Sequence, residues 1–238
     1  MEIANKRALV LGGTSGIGFA VAEQLVAAGA EVIAGGSSET SIEVARSSTG
    51  DSIDYRVIDV LDRDALAGLF ADTAPFDILV NTAAPRARAM GPFRELDLDA
   101  FQGAFGKLWG YVNSVQLGLE HMSEAGSIVI ISGSPARKAP PGTSAISTVG
   151  NAVEGFVRAI APEITPVRIN AVSPGPIDTP LVPLQGEQRQ QYFQKVVGDQ
   201  VIPRVGQPSE VADAVMFLLR NDFITGTVVD VDGGAPLP

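Results

Sequence analysis

The sequence predicts an α/β protein built on one doubly wound, parallel sheet of seven strands with helices on both faces. Three observations carry this expectation. Short apolar runs alternate with helical stretches along the whole chain. A glycine-rich turn joins the first apolar run to the first helical stretch. No repeat, low-complexity tract or linker divides the 238 residues, so 1–238 reads as a single domain with a full core.

Residues 8–11 are the first strand. The turn Gly12-Gly13-Thr14-Ser15-Gly16-Ile17-Gly18 follows, then a helix over 19–28 ended by Gly29. Strand, tight turn and helix together aim free backbone N–H groups and a helix N-terminus at a phosphate. Gly12 lets the chain turn, Gly16 lets backbone approach a pyrophosphate, and Gly18 lets the helix pack close on the strand. The alternative is an ordinary strand–helix turn. The correct flanks favour a dinucleotide site, with Thr14, Ser15 and Ile17 in its cradle.

The second strand, 31–34, ends in Gly35-Gly36-Ser37-Ser38. In a dinucleotide fold this end meets the adenosine ribose, where a carboxylate binds the 2′-hydroxyl of NAD and repels the 2′-phosphate of NADP. The first carboxylate here is Glu39, and Ser37 and Ser38 can donate to a phosphate. The expected cofactor is therefore NADP(H), in preference to NAD(H).

A third strand at 54–58 runs into Asp59-Val60, and a helix over 62–71 starts on Asp62 as N-cap. A fourth strand at 76–81 runs into Thr82-Ala83-Ala84. One long helix is expected over 98–122; Gly103, Gly106, Gly110 and Gly118 inside it suggest close packing against another helix. A fifth strand at 127–132, a helix over 147–160 and a sixth strand at 167–172 follow. The Pro- and Gln-rich stretch at about 176–207 is too long for a connector and reads as a partly helical lid. A helix over 209–219 with Ser209 as N-cap and a strand at 227–231 complete the chain.

Composition excludes several function classes. A net charge of −10 argues against a nucleic-acid partner. The absence of cysteine rules out disulfides, thiol catalysis and Cys-ligated zinc, and the single His121 rules out a His-cluster metal site. No metal is expected. Residues 1–7 lack a signal-peptide core and no run of about 18 apolar residues exists, so no membrane partner is expected and the protein reads as cytoplasmic.

The order of these pieces resembles the short-chain dehydrogenase/reductase family, with its Rossmann fold, over essentially the whole chain. Gly12, Gly16 and Gly18 match its glycine turn, with Leu11 where Thr is usual. Asp59-Val60 matches its adenine-binding Asp-Val, and Asn81-Thr82-Ala83-Ala84 matches its Asn-Asn-Ala-Gly imperfectly. The segment Asn170-Ala171-Val172-Ser173-Pro174-Gly175-Pro176-Ile177-Asp178-Thr179 matches the Pro-Gly segment beside the nicotinamide. Ile224-Thr225-Gly226-Thr227 through Asp232-Gly233-Gly234 matches the C-terminal strand. The resemblance implies cofactor contacts at Asp59, Val60, Asn81, Thr82, Ala83, Pro174, Gly175, Ile177 and Thr179.

The departure lies in the proton-transfer residues. The family uses a Tyr with a Lys four residues later, and a Ser about thirteen residues before the Tyr. The register set by Ala152-Val153-Glu154-Gly155 puts Ile146 and Gly150 at the Tyr and Lys positions and Gly133 at the Ser position, with Ser132 and Ser134 on either side. Ile146 and Gly150 cannot transfer a proton. The family's Asn on the long helix falls on Lys107. Lys107 is the leading catalytic candidate, and a cofactor-ribose contact, against the alternative of a surface lysine; Ser132 and Ser134 are candidate donors to the substrate, against plain turn serines. Arg137 and Lys138 read as a solvated edge, with an acidic-substrate contact as the alternative. Tyr111 reads as packing with Trp109 in a helix–helix interface, Tyr55 as strand packing, Tyr192 as a lid aromatic and His121 as a helix end.

Two functions follow. The first is an NADP(H)-dependent oxidoreductase with a rebuilt site, acting on a small carbonyl, enone or imine. The second is a catalytically silent cofactor-binding protein that senses nucleotide or acts as a scaffold. The glycines of the long helix, with Trp109 and Tyr111 beside them, further suggest self-association as a dimer or tetramer.

Overall fold

In the computed structural model, which describes residues 1–84 and 89–237, seven parallel strands form one sheet in the order β3-β2-β1-β4-β5-β6-β7. The strands are β1 (Arg7–Leu11), β2 (Glu31–Gly36), β3 (Asp54–Val57), β4 (Phe76–Asn81), β5 (Met122–Ile131), β6 (Arg168–Pro174) and β7 (Val228–Val231). The helices are α1 (Gly16–Ala27), α2 (Glu39–Thr49), α3 (Arg63–Thr73), α4 (Leu98–Ala104), α5 (Gly106–Gly118), α6 (Ser144–Ile160), α7 (Gly186–Val197) and α8 (Pro208–Arg220). Helix α2 is one the sequence reading does not name. Among the described residues no helix is long and apolar enough to cross a membrane.

Side chains alternate across the sheet with period two. Ala8 and Val10 of β1 enter the core under α1, α2 and α8, with Val21, Ile42 and Val215. Leu9 and Leu11 enter the core under α3, α5 and α6, with Phe70, Tyr111 and Val153. Both faces are covered, so the central strands carry mainly apolar runs such as Ile78-Leu79-Val80 and Ile128-Val129-Ile130-Ile131, as buried parallel strands do. The strand order reverses between β1 and β4, where Leu11 pairs with Asn81. In an open parallel sheet the crevice at such a switch point, beyond the carboxyl ends of the strands, is where ligands sit.

Several local expectations are corrected. The stretch 98–122 is two helices, separated at Phe105, followed by a 3₁₀ turn over Leu119–His121. Met122 already belongs to β5, because Phe76 pairs with it before the register shifts. Of the glycines in 98–122, Gly118 does pack on another helix: a Cβ there would stand 3.5 Å from Phe70 Cζ of α3. A Cβ on Gly110 would stand 2.5 Å from Val60 Cγ2, so the loop after β3 packs there, and Gly103 faces open space. Tyr111 is wholly buried and donates to the Ile131 carbonyl at 3.1 Å, while Trp109 is exposed, so the two do not share an interface. Helix α8 starts on Gln207, not Ser209: Glu210 accepts the Gln207 N–H at 2.7 Å and Pro208 takes the first turn. Asp62 does cap α3, accepting the Ala65 N–H at 3.0 Å.

Candidate active site

The glycine turn has the backbone that only glycine takes without strain. Gly12 and Gly16 have φ of 79° and 53°. A Cβ on Gly18 would lie 2.2 Å from the Gly12 carbonyl oxygen and 2.4 Å from Thr82 Oγ1. Helix α1 therefore starts directly against β1 and β4, with Ser15 at its N-cap and neither a side-chain cap nor an acidic residue in its first turn. That leaves the positive end of the helix facing the switch point. Thr14 is buried with its methyl against Gly36, and Ile17 packs into the core beneath α1.

The other cradle residues converge on the same end of the sheet. Thr82 closes β4 onto β1: its N–H meets the Leu11 carbonyl at 2.8 Å and its hydroxyl reaches Leu11 and Gly12 carbonyls at 3.2 Å. Asn81 is buried; it donates to Ser114 Oγ at 2.8 Å and accepts the Ala83 N–H at 2.9 Å. Asp59 accepts the Leu61 N–H at 2.9 Å, and the Val60 carbonyl accepts Asn113 Nδ2 at 3.2 Å. Pro174 ends β6 opposite Val231, and a Cβ on Gly175 would meet Asp232 Cα at 2.7 Å. Ile177 bridges to Gly206, and Thr179 stands 3.2 Å from where a Gly16 Cβ would be. Ser37 is exposed at the end of β2; Ser38 caps α2, accepting the Ser41 N–H at 3.3 Å.

The proton-transfer candidates are brought together at the end of β5. Lys107, in the first turn of α5, donates to the Ser132 carbonyl at 2.8 Å, and its ammonium lies 5.9 Å from the Tyr111 ring centre. Burial raises the Tyr111 phenol far above its ordinary value, and its hydrogen bond to the Ile131 carbonyl offsets only part of that, so it stays neutral. The Ser132 hydroxyl is committed to α6, 3.1 Å from Glu154 Oε1 and 3.2 Å from the Gly150 carbonyl oxygen. The structure thus turns that hydroxyl away from the role of substrate donor. Ser134 opens a 3₁₀ turn over Ser134–Ala136 and is partly exposed. Ile146 and Gly150 lie on α6; a Cβ on Gly150 would stand 3.0 Å from Ala136 Cβ, so the turn occupies the space where a side chain at 150 would begin. None of the three tyrosines is followed by a lysine four residues on.

Two residues were missed. Glu154 is 1% exposed on α6 and ion-pairs with Arg137, with Arg158 Nη1 at 3.6 Å. Arg137 in turn binds Asp230 of β7 at 3.1 Å. The edge reading of Arg137 is thereby corrected: it is a structural clamp that ties the turn after β5 to α6 and β7. Lys138 lies beside it, 3.5 Å from the Ala235 carbonyl. A charged residue amid the apolar periodicity of α6 was the available signal for Glu154. The second missed residue is Arg189 of α7, which binds Asp178. Tyr192 is exposed on α7 with its ring against Phe193, His121 lies in the turn before β5, and Tyr55 is buried with its hydroxyl 3.1 Å from Thr49 Oγ1.

An open parallel sheet with a glycine turn at its switch point is the architecture of dinucleotide-binding folds. A family model described as enoyl-(acyl carrier protein) reductase matches residues 12–236. The chain belongs to the short-chain dehydrogenase/reductase family. It is 34% identical to cis-4-hydroxycyclohexanecarboxylate dehydrogenase of Sinomonas cyclohexanicum, over 97% of this chain and 96% of that protein. Among solved structures it is similar to a small-chain dehydrogenase in complex with NADPH, with a TM-score of 0.85 and 28% identity over 98% of this chain and 100% of that one. It is also similar to the MalC reductase/Diels-Alderase of Malbranchea aurantiaca, with a TM-score of 0.90 and 26% identity over 99% and 98% of the two chains.

Proposed function

We propose that the protein is an NADP(H)-dependent reductase of this family, acting on a small carbonyl, conjugated enone or imine through Lys107 rather than a Tyr–Lys pair. The observation that carries the reading is the placement of Lys107, whose ammonium reaches the end of β5. The cradle fits a dinucleotide: the spaces at Gly12 and Gly18 admit no Cβ, and the start of α1 offers backbone donors to a pyrophosphate. When bound, the nicotinamide supplies the hydride. Gly12 to Gly18 would hold the pyrophosphate, and Ser37 with the start of α2 would meet the adenosine end. The preference for the 2′-phosphate rests on the absence of a carboxylate before Glu39. A similar protein solved with NADPH supports the same choice.

Lys107 then has two tasks, holding a ribose or substrate oxygen and stabilising the charge that develops there. Ser134 is the neighbouring hydroxyl donor. Substrates whose reduced carbon or nitrogen takes its proton from water tolerate the loss of a tyrosine, which favours enones and imines. The test is a screen of NADPH oxidation over carbonyl, enone and imine substrates. Steady oxidation with at least one class supports the reading. Tight NADPH binding with no oxidation by any class would instead favour a cofactor-binding protein without turnover, the reading that Ala136 packed against Gly150 supports.

A further inference from the structure

Arg189, in the first turn of α7, is saturated. Its Nε lies 3.0 Å from Asp178 Oδ1 and its Nη2 binds the same oxygen. Nη2 also meets the Thr179 carbonyl at 2.9 Å. Nη1 meets the Val182 carbonyl at 2.5 Å and the Leu184 carbonyl at 3.1 Å. A guanidinium has five N–H donors in a fixed fork, and this set of acceptors uses them all. The group also lies 5.0 Å from the ring centre of Phe193, one turn further along α7 and itself buried. A lysine could reproduce the charge but not the fork.

The acceptors are successive parts of one segment, 178–184. Its root is fixed independently: Asp178 N–H bonds the Gly206 carbonyl at 2.9 Å and Gly206 N–H bonds the Pro176 carbonyl at 2.9 Å. Beyond that root, Thr179 rests on Gly16, at the start of α1. Arg189 therefore ties α7 to the residue that covers the glycine turn. Because Asp178 neutralises it, Arg189 acts by holding backbone in place and not as a free charge for a phosphate.

We propose that Arg189 is a positioning residue that retains the dinucleotide: it latches Thr179 over the glycine turn, and the bonds it makes must open before the cofactor leaves. The proposal rests on the reading of the glycine turn as the cofactor cradle. Removing the latch acts on departure more than on encounter, since the cradle itself is untouched. It also acts on the pyrophosphate side alone, because the adenosine end is assigned to Ser37 and the start of α2.

The test measures NADPH association and dissociation by stopped-flow fluorescence, and binding of adenosine 2′-monophosphate by titration, for the unaltered protein, Arg189→Met and Arg189→Lys. Thermal melting without ligand checks that each variant is folded. Arg189→Met is expected to raise the NADPH off-rate by about tenfold or more, with the on-rate changed less than about threefold, and Arg189→Lys to fall between. Affinity for adenosine 2′-monophosphate, which lacks the pyrophosphate, should stay unchanged; general loosening of the fold would weaken both ligands together. Equal off-rates in all three proteins, or parallel weakening of adenosine 2′-monophosphate, overturns the latch. Failure of the unaltered protein to bind any dinucleotide overturns the cradle reading and the latch with it.

Discussion

Replacing Glu154 by Ala removes the centre of the clamp between β5, α6 and β7. The carboxylate is 1% exposed and is approached by Arg137, Arg158 and the Ser132 hydroxyl. Removing one partner of a buried ion pair costs about 3–5 kcal/mol when the other is left buried and unpaired. Here the partners are not abandoned. Arg137 keeps Asp230 and is 31% exposed, Arg158 is 55% exposed, and Ser132 retains the Gly150 carbonyl. That condition is not met, so the expected loss falls below this range, at about 1.5–3 kcal/mol, the worth of hydrogen bonds to a charged group. For a chain of this size that lowers the melting temperature by about 3–12 °C. Glu154→Gln keeps the shape and the acceptor for Ser132, and should lose about half as much, because only the charge-assisted part is removed. Urea denaturation gives the free energies, and amide exchange over 133–138 shows whether the turn loosens locally. A loss below about 0.5 kcal/mol for Glu154→Ala, the level of an ordinary surface substitution, would refute the reasoning. It would mean that Asp230 and solvent satisfy Arg137 equally well.

Three further outcomes are expected. The Arg204 side chain and the Gln207 N–H hold the Glu210 carboxyl down to about 2. Since that folded value lies below the unfolded one, its contribution is present above about pH 4 and fades as pH falls toward 2, so Glu210→Gln should shallow the acid limb of the stability curve, most visibly at low salt. Ser38→Asp puts a carboxylate at the end of β2 and should reverse the preference from NADPH to NADH; titration showing unchanged preference counts against the adenosine-end assignment. Trp109, exposed on α5 beside Phe105 and Leu61, marks the face proposed to pair with a second copy, so Trp109→Asp should shift sedimentation at micromolar concentration toward monomer, whereas a monomer in the unaltered protein contradicts the pairing.

The parts of the molecule legible in the sequence are those written locally. The glycine turn, the alternation of apolar runs and Asp62 as a cap each depend on neighbours a few residues away, and each appears where the pattern puts it. The Glu154 clamp was hidden because Arg137 and Ser132 lie 17 and 22 residues from it, and Asp230 is 93 residues from Arg137. A lone Glu on a helix and an Arg in a loop look solvated until the sheet order brings β5, α6 and β7 together. The break at Phe105 was hidden for a related reason. Helical residues stand on both sides of it, so a period count runs straight through Phe105. The early start of β5 at Met122 is set by pairing with Phe76, which no helix-period count reveals.

The site divides the same way. Cradle residues follow the chain's own motif order, whereas the orientation of Ser132 depends on a helix that begins twelve residues later. Its backbone carbonyl faces Lys107 and its hydroxyl faces Glu154, so one residue links the candidate catalytic group to the clamp.

The central claim is that Lys107 replaces the missing Tyr–Lys pair, and its most direct test is the turnover number of Lys107→Ala with whichever substrate class the NADPH-oxidation screen identifies. The account predicts a fall of about 10²–10³ in turnover, the cost of removing a charged donor at the developing charge, with NADPH affinity at the adenosine end and the fold retained. Unchanged turnover in Lys107→Ala, with Ser134→Ala equally without effect, would contradict it and would direct the search to Tyr192 on α7.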